Sequence, residues 1–202
     1  MPTELHEFLG SRRSIRRFKP IALEDDILTR ILETATRVPS AHNRQPWRFA
    51  VLTRPEPKSR LANFLAADFQ RDLTGDQLSE AEIETRLNRS KNRINDAPVV
   101  IVLCMDMSEM DVYPDEKRTQ AERSMATQSV AAAGLQLQLA AHAEGLGSVW
   151  TCGPLFSPHT VRAALNLPES WEPQAMFFLG YPNETPKIKE QKPLENVVLY
   201  VS

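Results

Sequence analysis

The apolar positions of this chain change period along its length. In LEDDILTRILETATRV, Leu23, Ile27, Ile31, Leu32 and Ala35 share one helical face, and acids fill the first turn. Pro39 closes that helix, Pro46 fixes the exit of the next loop, and WRFAVLT (47–53) reads as a strand. Two amphipathic helices follow, the second densely charged. APVVIVLCM (97–105) is then apolar without alternation, the pattern of a strand buried on both faces. From Thr119 to Ala143 the apolar positions surround most of a helix, which predicts a central one. Its small residues, among them Ala126, Ala133 and Gly134, invite close approach by a neighbour, and EGLG (144–147) stops it. SVWTC predicts a strand, SPHTVRAALNL a short helix capped by Ser157, QAMFFLGYP a further strand, and PLENVVLYVS a strand-like tail. The expectation is a single α+β domain over residues 1–202, a small sheet packed among helices. No internal repeat or composition shift marks a second domain.

Composition narrows the function classes. Two hundred and two residues at formal net charge -2 do not fit a general nucleic-acid binder, which needs a basic surface. No apolar run approaches the roughly 20 residues of a membrane helix, and the acidic N-terminus is no signal peptide. Cys104 and Cys152 sit in apolar surroundings and read as buried, reduced thiols, which points to the cytoplasm. The four histidines have no ligand spacing, so no metal site is expected.

Against this balance, SRRSIRRF (11–18) stands out. Arg12, Arg13, Arg16 and Arg17 occupy a stretch of six residues around Ser14, and no acid occurs from residue 8 to 23. Such runs are often solvated loops. Here the exclusive use of arginine, whose planar fork suits phosphate, and the hydroxyl within the cluster favour an anion site. The second constellation is PSAHNRQPWRF (39–49), where Ser40, His42, Asn43 and Gln45 crowd a proline-bounded loop. The residues fit turn material or a loop lining a polar, planar ligand; His42 has no evident nucleophile or acid partner, so it is not read as a base.

In this order, RRSIRRF, PSAHNRQPWRF, AAAGLQLQLAAHAEGLGSVW and KPLENVVLYVS resemble the motifs of the nitroreductase family of flavin-dependent oxidoreductases, over most of the chain. The resemblance implies FMN, whose 5′-phosphate is the anion for the arginines. By position, Arg12 and Ser14 would hold the phosphate and ribityl chain with Arg13 beside them. Arg16 would lie near the pyrimidine end of the ring. Cys152 and Gly153 would offer backbone N–H groups to N5 and O4, and Lys189 and Lys192 would close over the phosphate. Ser40, His42 and Asn43 would come from the second subunit of a homodimer with a domain-swapped C-terminal strand. No side chain is singled out as catalytic. FMN rather than FAD is expected, because no G-x-G-x-x-G loop follows a strand. The implied reaction takes hydride from NAD(P)H and reduces a nitroaromatic, quinone or similar acceptor. The regions 68–95 and 149–182 also resemble the flavin domain of the bacterial enzyme that completes the deazaflavin coenzyme, which implies reduction of a dehydro precursor as an alternative. A flavin-binding protein without turnover and a flavin-free anion scaffold remain as further readings.

Overall fold

A computed structural model describes residues 2–186 and 190–201. Its centre is the strand β2 (Val99–Asp106), buried at every position. It lies between β1 (Trp47–Leu52) and β4 (Trp171–Gly180), and β3 (Gly147–Thr151) completes the order β1-β2-β4-β3, all neighbours antiparallel. Successive strand residues face opposite sides, so β2 feeds two cores. Ile101, Leu103 and Met105 pack with α2 (Asp25–Ala35) and α5 (Glu116–Ala143). Val100, Val102 and Cys104 pack with Leu61 of α3 (Pro55–Gly75), Ile94 of α4 (Glu80–Asp96) and Val161 of α6 (Pro158–Leu165). Burial pushes the Cys104 thiol up to about 12, so it stays protonated. A register shift between Leu103 and Cys104 falls where Pro173 of β4, which has no N–H, opposes the strand.

α5 begins where the Asp115 carboxylate accepts from the Arg118 N–H at 3.0 Å and ends at Gly145, whose φ of 72° needs glycine. At Gly134 an added Cβ would stand 2.8 Å from the Trp150 ring and 2.9 Å from that of Phe177. The close approach read from the small residues is therefore made, at this position, by aromatic side chains of β3 and β4.

Two expectations need correction. Cys152 is exposed, because β3 ends at Thr151 and the chain turns outward there. Ser157 precedes α6 but its side chain caps nothing; it supports the Asp68 carboxylate instead. The described residues of the tail pair with no strand of their own chain. A 3-10 turn at Leu194–Asn196 is followed by exposed Leu199, Tyr200 and Val201, since PLENVVLYVS has no neighbouring strand of its own chain with which to pair.

Candidate functional site

The arginine stretch is built onto the free edge of β3. α1 (Pro2–Ser11) ends at Ser11, and the next residues run beside β3 through a parallel bridge between Ser14 and Ser148. The Ile15 N–H donates to the Ser148 carbonyl at 3.0 Å, and Lys19 N–H to that of Tyr181 at 2.8 Å. Ile15 is buried against Gly147, where an added Cβ would meet Ile15 Cβ at 2.6 Å. Burying Ile15 turns its neighbours Ser14 and Arg16 to the other side, by the two-residue period of extended chain. They line a cleft of about 1030 Å³ with Arg12, Arg13, Arg17 and Gln191 of the tail.

Within this cleft the arginines differ. Arg13 is committed to backbone, its Nη1 donating to the carbonyl of Arg12 at 2.8 Å and to that of Gly10. Arg16 and Arg17 are exposed, and Glu184 reaches them only at their backbone N–H groups. Arg12 is half-buried, and its Nη1 is buried with no acceptor among the described residues. A buried charged donor without a partner costs about 1–3 kcal/mol or more, a cost that an anion in the cleft would relieve. Next to it, His142 at the end of α5 meets Ser11 Oγ at 2.7 Å and stacks on Phe8. Burial first, then Arg12 and Arg13, hold its pKa below the ordinary value, so it adds no charge near neutral pH.

Near Arg16 stands a residue that the sequence reading missed. Arg93, in the last turn of α4, has no acidic partner among the described residues and faces Arg89 and Arg16. Burial and then those like charges lower its pKa. A cation in a last helical turn already has an ordinary explanation in the helix dipole, so RSKNRIN carries no signal of a site. Between these cations and β4 runs the turn after β3. The N–H groups of Cys152 and Gly153 donate to no acceptor among the described residues.

The loop of the second constellation lies elsewhere. Ser40 is half-buried and its Oγ accepts from Gln45 N–H at 3.0 Å, while His42 and Asn43 are exposed with φ of 50° and 55°. This loop leads into β1, at the opposite edge of the sheet from the arginines. Three strand spacings, about 14 Å, separate the two edges. Lys192 is exposed, and Lys189 lies outside the described residues.

The arrangement suits a molecule with an anionic end at Arg12 and an electron-accepting end between Arg16, Arg93 and the two open N–H groups. Residues 9–181 match the model of the nitroreductase family. The chain belongs to this family. Among nitroreductase relatives, it is 33% identical to an NADH dehydrogenase of Thermus thermophilus, over 94% of this chain and 92% of that one. It is 30% identical to a 5,6-dimethylbenzimidazole synthase of Rhodospirillum rubrum, over 89% and 82%. A nitroreductase-like protein of Desulfovibrio desulfuricans, solved in complex with FMN, is 26% identical with a TM-score of 0.74, covering 98% of this chain and 96% of that one.

Proposed function

We propose that this nitroreductase-family oxidoreductase binds one FMN per subunit and transfers hydride from NAD(P)H to a nitroaromatic, quinone or similar acceptor. The observation that carries the reading is the buried, unpartnered Arg12 Nη1, which a phosphate oxygen satisfies with a charge-assisted bond. Ser14 adds a hydroxyl, and Arg13, held on its own backbone, adds charge without a direct bond. Bound FMN supplies two-electron chemistry at its ring, and negative charge builds at the pyrimidine end on reduction. Arg16 and Arg93 supply positive charge for that end, and the Cys152 and Gly153 N–H groups serve the N5 and O4 edge. The Cys152 thiol is exposed but takes no part.

The reading includes a homodimer. Ser40, His42 and Asn43 sit at the far edge of the sheet from Arg12, so they reach a flavin only from a second copy. The exposed tail with Val197, Leu199, Tyr200 and Val201 supplies the apolar strand, and the free edge of the partner's sheet beside β1 is its natural seat. Lys192, and Lys189 with it, would come over the phosphate from that tail. The free thiols fit a single domain working in the cytoplasm.

Anaerobic mixing of the FMN-loaded protein with NADH and with NADPH tests the reading. Bleaching of the flavin's visible band, followed by recolouring with a quinone or nitroarene, is expected. A flavin that neither donor reduces would identify a binding protein without turnover. The similarity to a 5,6-dimethylbenzimidazole synthase favours a second reading, in which the product is that compound. Its formation in an aerobic reaction, read by mass spectrometry, would replace the reductase assignment.

A further inference from the structure

β1 and β2 are antiparallel neighbours and need only a tight turn between them. The chain instead inserts the helical hairpin α3–α4, of 21 and 17 residues. The hairpin roofs a cavity of about 360 Å³, within the usual range of small-molecule pockets, roughly 300–1,000 Å³. Met176 and Phe178 of β4 form its floor, and Leu65, Phe69, Leu73 and Ile94 its walls. The roof is pinned to the start of α6: Asp68 of α3 accepts from the Thr160 hydroxyl and is supported by Ser157.

The position of the cavity matters as much as its lining. Arg93, Thr151 and Gly153 share its lining, so it adjoins the residues assigned above to the pyrimidine end and N5 edge of the flavin. Its rim carries Asp72 and Asp76, exposed, four residues apart and without an ion pair among the described residues. A carboxylate rim over an apolar interior disfavours the diphosphate of NAD(P)H and any anionic tail. It accepts a neutral apolar chain.

We propose that this cavity, resting on the FMN reading above, is a specificity subsite for the acceptor: it holds the neutral alkyl or prenyl substituent of a quinone whose ring lies over the flavin. The reaction balances as quinone, NAD(P)H and one proton giving hydroquinone and NAD(P)+. The hydride comes from the nicotinamide and the remaining proton from solvent.

The test uses the FMN-loaded protein and three naphthoquinones: unsubstituted, with a hexyl chain, and with a hexyl chain ending in a carboxylate. Binding is read by difference absorbance of the oxidised flavin without donor, and turnover by kcat/KM with NADH. Burial gains about fourfold per methylene, so the hexyl compound should bind at least a hundredfold tighter than the parent, and the carboxylate compound should lose most of that gain. Leu65→Trp, which fills the cavity, should abolish the hexyl advantage while leaving FMN content and turnover of the parent quinone within about twofold. Asp72→Lys, at an exposed position that folding does not need, should restore the carboxylate compound by tenfold or more. Equal affinity for parent and hexyl quinone in the unmodified protein would overturn the proposal, as would a hexyl advantage that survives Leu65→Trp in a folded, flavin-loaded variant. If Leu65→Trp does not fold, an unchanged response of Asp72→Lys to the carboxylate compound overturns it alone. Failure to bind FMN at all would instead sink the reading beneath it.

Discussion

Replacing Arg12 by alanine separates a ligand contact from a structural one, because the two carry opposite signs in the free protein. Arg12 Nη1 is buried with no acceptor among the described residues. Such a donor destabilises the fold by about 1–3 kcal/mol, and its removal returns that amount. Against this stands the packing of its methylene stem, so the net change for the free protein should lie within about 1 kcal/mol of zero. In the bound state the same change deletes a charge-assisted contact to phosphate, worth about 1.5–3 kcal/mol for one bond and more for a bidentate pair. We expect a loss of ~2–4 kcal/mol in FMN binding, roughly 30- to 1,000-fold in Kd. Arg12→Lys keeps the charge but not the fork and should recover part of it. Arg17 is exposed, and Arg17→Ala should cost far less. Titration of the free protein with FMN by fluorescence quenching, beside thermal melts with and without FMN, gives both signs. A variant that melts as much lower without FMN as with it would make Arg12 a structural residue, and equal losses at Arg12 and Arg17 would mean that the cluster has been read in the wrong register.

Three further outcomes follow from the same geometry. Gly147→Ala drives a methyl group into Ile15 and should displace the arginine stretch from β3, at a cost of about 1–3 kcal/mol in stability and with loss of FMN; a melt and a flavin content equal to the parent's would contradict this. The pKa of His142, lowered by burial and by Arg12 and Arg13, should rise when a phosphate offsets those guanidiniums, so its NMR titration midpoint moves upward on FMN binding; an unmoved midpoint would place the anion elsewhere. Deleting residues 194–202 should remove dimer and flavin together, and a sedimenting monomer with full FMN content would refute the shared site.

The elements most legible in the sequence were those whose local and tertiary demands agree. β2 had to be a strand buried on both faces because APVVIVLCM leaves no polar side, and it lies at the centre of the sheet. α5 was legible through its small residues and its glycine stop. The arginine stretch was visible as charge that no neighbouring acid cancels, yet its placement on the β3 edge depends on Ile15 filling the space that Gly147 leaves, a contact between residues far apart in the chain. The distinction among Arg12, Arg13 and Arg16 was equally hidden, since burial and backbone bonding decide it. Arg93 escaped because a helix-terminal cation needs no site to explain it, and the exposure of Cys152 because apolar neighbours in sequence are not always neighbours in space. The tail reads as a strand by composition but lacks a partner strand in its own chain, and pattern alone does not say where such a strand docks.

The most direct test of the account is the identity and amount of flavin released by heat from the protein after it has been loaded with a mixture of FMN and FAD and freed of excess. Mass spectrometry should find FMN alone, at one per subunit, held by the Arg12 cleft. FAD in its place, or no flavin retained, would contradict the assignment of that cleft to the FMN phosphate.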